Sequence, residues 1–121
     1  MKSNVLIVDD ENIARQSLTD ILKLEGYNVA AVPGGQAAVE YVRTHPVDLM
    51  IVDLRMPGMD GLDAFRRIRS ADQNARGLLI SAFATDEVMR CAEDLGMDAL
   101  LSKPLDLPVL LSRISQILSH N

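Results

Sequence analysis

Asp9 and Asp10 follow the apolar run Val5-Leu6-Ile7-Val8, and Asp53 follows Leu49-Met50-Ile51-Val52. Ser81 ends Leu78-Leu79-Ile80, and Lys103-Pro104 comes just after Ala99-Leu100-Leu101. Continuous aliphatic runs of this length read as strands covered on both faces. Residues just past the ends of parallel strands converge on one edge of the sheet. Three carboxylates gathered there repel one another unless a cation holds them. With a lysine opposite, the set suits a hard metal ion and a phosphoryl group. Mg²⁺ prefers one or two carboxylates together with phosphate oxygens and water. An aspartate can attack phosphorus to give an acyl phosphate, and phosphoryl transfer asks the protein mainly for positioning and charge stabilisation. Lysine brings a flexible point charge, suited to a phosphate that arrives and leaves.

Each residue alone has a plainer reading. Asp10 is as good a helix cap as a metal ligand, and Asp53 is a reasonable turn residue. Lys103 alone is ordinary surface charge, and Ser81 a hydroxyl paired with nearby backbone. What sets these readings aside is the coincidence of all of them at strand ends.

The elements that must position them alternate along the whole chain. Strands are expected near Asn4–Val8, Asn28–Val32, Asp48–Val52, Gly77–Ser81 and Asp98–Leu101. Between and after them run helical stripes. The first is Ala14, Leu18, Ile21 and Leu22, and the second Ala38, Tyr41, Val42 and His45. Leu62, Phe65 and Ile68 form a third, and Val88, Cys91, Ala92 and Leu95 a fourth. Leu107, Leu110, Leu111, Ile114 and Leu118 make the last. Asp60, Thr85 and Asp106 stand where N-caps belong, and Gly26 and Gly96 where helices stop. Five β/α pairs in strict alternation imply one α/β domain over residues 1–121, a doubly wound five-stranded parallel sheet of order 2-1-3-4-5. In such a sheet ligands bind beyond the carboxyl ends of the strands, where strand order reverses. That point falls between the strands ending at Asp9-Asp10 and at Asp53.

Composition narrows the partners. A net charge of −5 over 121 residues argues against direct nucleic-acid binding, and the cluster Arg66-Arg67-Arg69 reads as a solvated helix face. The single cysteine, Cys91, excludes an internal disulfide and reads as a buried structural thiol. No apolar run approaches the roughly 18 residues needed to span a bilayer. A cytoplasmic, membrane-free setting is expected. His45 and His120 have no ligand partners in sequence, and neither reads as a phosphoryl donor.

The segments VLIVDDE, IVDLRMPGMDG, LLISAFA and LLSKP, in that order along the whole chain, resemble the receiver domain of two-component response regulators. The resemblance implies a flavodoxin-like (βα)₅ receiver fold and a signalling switch rather than an enzyme acting on other substrates. It implies that Asp53 is the phosphoacceptor, taking the group from a histidine kinase or phosphotransfer protein. Mg²⁺ would be held by Asp9, Asp10, Asp53 and the backbone carbonyl of Arg55. Ser81 and Lys103 would contact the attached phosphoryl group, and the Lys103–Pro104 peptide would be cis. Arg55 and Phe83, each two positions beyond a site residue, are placed to tune dephosphorylation. The output face would be the fourth helix, fifth strand and fifth helix, read by an effector protein or an output domain. A phosphorylation-dependent homodimer through that face stays open.

One position departs from the family. An aromatic residue usually stands three before the lysine, and here it is Leu100. That keeps alive a receiver-like interaction module that is never phosphorylated. A metal-dependent phosphohydrolase using Asp53 would need an acidic residue two positions on, where this chain has Arg55. A flavodoxin-like cofactor binder would need a small-residue phosphate loop where Asp-Asp-Glu stands.

Overall fold

Parallel strands cannot be joined by a tight turn, so each strand here is followed by a crossover that carries a helix. The computed structural model describes residues 2–119; His120 lies outside them. The order is β1 (Asn4–Val8), α1 (Asn12–Leu24), β2 (Asn28–Val32), α2 (Gly35–Thr44) and β3 (Leu49–Asp53). There follow α3 (Gly61–Ala71), β4 (Gly77–Ser81), α4 (Asp86–Asp94), β5 (Ala99–Ser102) and α5 (Leu107–Ser119). The five strands pair in parallel in the order β2-β1-β3-β4-β5. No helix among the described residues is long and apolar enough to cross a membrane.

Successive strand residues point to opposite faces, and the sheet divides its core accordingly. Leu6, Val8, Met50, Val52 and Leu79 pack with α2, α3 and α4 through Ala38, Phe65, Ile68 and Ala92. Val5, Ile7, Leu49, Ile51, Leu78 and Ile80 pack on the other face with Leu18 and Leu22 of α1 and Leu110 and Ile114 of α5. Full burial of one such aliphatic side chain contributes about 1.5–3 kcal/mol. The central strands β1, β3 and β4 are therefore apolar along their middles, with polar residues only at their ends. The outer strands β2 and β5 are only partly covered, because each lacks a neighbour on one side.

Local signals hold where the backbone needs them. Asp60 and Thr85 cap α3 and α4 by accepting the N–H groups of Asp63 and Val88. Asp106 does the same for Val109 at the start of α5. Gly26 and Gly96 follow helix ends at φ +95° and +78°, a conformation most side chains resist.

Several details differ from the sequence reading. Both ends of β3 shift by one residue (Leu49–Asp53 against 48–52), as do both ends of β5 (Ala99–Ser102 against 98–101). Leu95 caps α4 instead of lying within it. β3 runs one residue further, to Asp53, because Leu54 N–H donates to the Ile80 carbonyl and keeps the pairing with β4. β5 starts one residue later, since Asp98 is occupied with Gly77 through both its backbone N–H and its carboxylate. His45 lies past the end of α2, exposed and stacked on Tyr41 with ring centroids 4.1 Å apart. Cys91 is half-buried rather than enclosed. Arg69 leaves the solvated face: it donates to the carbonyls of Leu95 and Gly96 and lies over the Phe65 ring.

The turn from β3 into α3 is the tightest approach near the sheet edge. A Cβ at Gly61 would stand 2.5 Å from the Asp53 carbonyl oxygen, while Gly61 N–H donates to Leu54. Gly61→Ala is therefore expected to destabilise the protein by about 1–3 kcal/mol, the usual cost of overpacking. Urea unfolding followed by circular dichroism measures this, and an unchanged midpoint would contradict the packing argument.

Candidate functional site

β1 and β3 are neighbours in register, with Val8 opposite Val52, so the chain leaves both strands at the same level. Asp9, Asp10 and Asp53 consequently emerge side by side. One carboxylate oxygen from each lies within 4.8 Å of the other two. The donor atoms are all anionic oxygens, the set that hard divalent cations select. Burial pushes the Asp9 carboxyl above its ordinary value. The charges of Asp53 and Asp10 push the same way, against the Glu11 backbone N–H and the Lys103 charge.

Asp53 ends β3 with its side chain only 12% exposed. Its Oδ2 accepts from Lys103 Nζ at 2.7 Å, and its Oδ1 accepts from the backbone N–H of Arg55 at 3.3 Å. Lys103 arrives from the far side of the sheet. Its backbone N–H donates to the Ser81 carbonyl at 2.9 Å, and its peptide bond to Pro104 is cis, as the resemblance implies. Burial lowers the Lys103 pKa, but the hydrogen bond to Asp53 and the charges of Asp53, Asp9 and Glu11 outweigh it, and the net shift is upward. The side chain stays an ammonium ion facing the carboxylates.

Ser81 ends β4 fully buried, and its Oγ accepts the Phe83 N–H at 2.9 Å, leaving the hydroxyl proton to be donated elsewhere. Phe83 itself is 54% exposed, with the Arg55 guanidinium 4.6 Å above its ring. That contact joins the loop after β3 to the loop after β4. Leu100, at the position usually aromatic, is half-buried and packs with the core on the α4 side of the sheet.

Sequence reasoning missed Arg15. Its Nη1 donates to the Asp9 carbonyl at 2.7 Å and its Nη2 to Asn12 Oδ1. An arginine on the polar side of a helix gives no signal in sequence that it reaches back to the preceding turn.

The raised Asp9 pKa carries a stability consequence. The folded state holds this proton more tightly than the unfolded chain, so ionised Asp9 costs stability above its folded pKa. The cost fades as pH falls through that pKa and is gone below the ordinary value of 3.8. Asp9→Asn keeps an acceptor for Glu11 N–H while removing the charge. It is expected to raise the thermal midpoint of the metal-free protein at neutral pH, with the gain vanishing in acid. Calorimetry in chelator across that range checks the sign, and a lower midpoint at neutral pH would refute it.

Comparison with known proteins agrees with this geometry. The family described as Response regulator receiver domain matches residues 5–115. The chain is 39% identical over 117 residues to the chemotaxis protein CheY of Treponema pallidum, covering 94% of this chain and 81% of that protein. It is 32% identical over 116 residues to a cyclic di-GMP phosphodiesterase of Thermotoga maritima, covering 96% of this chain but 31% of that protein. A chain of the CheX–CheY–BeF₃–Mg²⁺ complex from Borrelia burgdorferi matches with a TM-score of 0.88 and 33% identity, over 95% of this chain and 88% of that one. With its parallel sheet of order 2-1-3-4-5, its acidic edge and its Lys103–Asp53 pair, the chain belongs to the response regulator receiver domains, the phosphorylation-dependent switches of two-component signalling.

Proposed function

We propose that Asp53 accepts a phosphoryl group from a phosphohistidine of a histidine kinase or phosphotransfer protein. The observation that carries this reading is the 2.7 Å contact of Lys103 with a nearly buried Asp53, set among two further carboxylates. A carboxylate oxygen of Asp53 forms the new P–O bond as the P–N bond to the donor imidazole breaks. The bonding pair leaves with the ring nitrogen, which takes a proton from solvent. Lys103 holds one oxygen of the carboxylate and supplies positive charge where the phosphoryl oxygens gather. Ser81, its proton uncommitted, donates to the attached group.

The three clustered carboxylates fit Mg²⁺ by donor type and by mutual repulsion. Asp9, Asp10 and Asp53, with the Arg55 backbone carbonyl, would hold it. When bound, Mg²⁺ neutralises charge on the transferring phosphoryl oxygens.

The new group carries more charge and more acceptor oxygens than the bare carboxylate. Ser81 and Lys103 move toward it, and the loop holding Phe83 follows, biasing the face formed by α4, β5 and α5. Leu100 repacks without a phenolic hydroxyl, so this face is read through shape rather than through a ring rotamer. Residues 1–121 act as one cytoplasmic domain whose effect passes to an effector protein or an output domain.

Incubation with acetyl phosphate and Mg²⁺ is expected to label the chain at Asp53. Asp53→Asn and excess chelator should each abolish the label, as intact-mass spectrometry will show; persistent labelling of the asparagine variant would overturn the assignment. A second measurement concerns lifetime. Arg55 and Phe83 stack on each other, each with its backbone N–H bonded to a site residue, and in this reading they restrict an attacking water. Replacing both residues by alanine should shorten the acyl-phosphate half-life several-fold, and an unchanged decay would remove them from that role.

A further inference from the structure

α1 begins without the usual device. Glu11 at the N-cap makes no side-chain capping hydrogen bond, and the first turn contains no acidic residue. The preceding residues are nonetheless Asp9 and Asp10, adjacent charges that repel each other and Asp53. The segment is secured instead by the Asp9 carboxylate, which accepts Glu11 N–H at 2.9 Å, and by Asp9 N–H, which donates to Val32. It is also secured by Arg15. One arm of the guanidinium grips the Asp9 carbonyl and the other grips Asn12 Oδ1. The base of this fork is itself fixed, since Thr19 Oγ1, on a buried residue, donates to the Arg15 carbonyl at 2.7 Å.

We propose that Arg15 is a positioning residue for divalent-cation binding, setting where Asp9 and Asp10 project although it touches neither carboxylate. The inference rests on the metal role proposed above for the acidic edge. Arginine suits the task because a planar fork satisfies two acceptors at fixed separation, whereas lysine offers one compact charge. The Asp9 carbonyl, taken by Arg15, also leaves the carboxylate as the group this residue presents to a cation.

The alternative role for Arg15 has the opposite sign. If it served only as a positive charge near the carboxylates, removing it would tighten cation binding. If it positions them, removing it loosens binding. Isothermal titration of the full chain with MgCl₂ separates the two. Arg15→Met, close in length and uncharged, is expected to weaken Mg²⁺ binding about ten- to a hundred-fold, the usual loss when a partner of a metal ligand is removed. Arg15→Lys should recover only part of the loss. Acetyl-phosphate labelling should show a raised Mg²⁺ half-saturation but the same plateau at saturating metal. Unchanged or tighter binding by Arg15→Met overturns the proposal. If that variant does not unfold cooperatively, Asn12→Ala decides instead: several-fold weaker binding supports the fork, and wild-type binding refutes it. A wild-type chain that binds no Mg²⁺ and takes no label sinks the reading of the site as well. A wild-type chain that does both, matched by Arg15→Met, sinks the Arg15 inference alone.

Discussion

Repulsion among the three carboxylates at the sheet edge is the constraint that the rest of this molecule answers. Left alone, side chains of like charge would turn apart into solvent. Here Asp9, Asp10 and Asp53 stay within 4.8 Å because each leaves a backbone that is fixed for other reasons. Lys103 relieves part of the repulsion through Asp53, while Asp9 is pushed up first by burial and further by the charges of Asp53 and Asp10. A site in that condition has a standing affinity for positive charge. In a phosphoryl acceptor the same imbalance serves chemistry, since a cation bound there also neutralises the incoming group.

The fold supplies the fixed backbones. β1 and β3 are sealed on both faces, and their shared register brings two strand ends to one level. Lys103 reaches the same point from β5, two strands away, by way of the Ser81 carbonyl. The acidic loop after β1 is the weakest part of this frame, because it leads into a helix without a side-chain cap. Its contacts are the Asp9 N–H to Val32, the Asp9 carboxylate to Glu11 N–H and the Arg15 guanidinium to the Asp9 carbonyl.

Signal transmission follows from what is tightly packed and what is not. α4 buries a single residue, Ala92, and the Arg69 contacts to Leu95 and Gly96 anchor its carboxyl end. Its amino end follows the loop that carries Phe83, whose N–H is bonded to Ser81 and whose ring lies under Arg55. A lightly packed helix entered through a site loop is the kind of element whose equilibrium a local charge change can bias.

The sequence by itself determined the alternation of strands and helices, the sheet order, the caps at Asp60 and Thr85, and the gathering of Asp9, Asp10, Asp53 and Lys103 at one edge of the sheet. These were legible because they depend on periodicity and on position relative to strand ends, which are local in the chain. Strand ends slipped by one residue at Asp53 and Asp98, since pairing with a neighbour rather than propensity decides where a strand stops. Arg15, Arg69 and the Arg55–Phe83 contact were decided only by tertiary structure. Long cationic side chains have many rotamers, and the carbonyl or ring that captures one is chosen by what folding brings within reach.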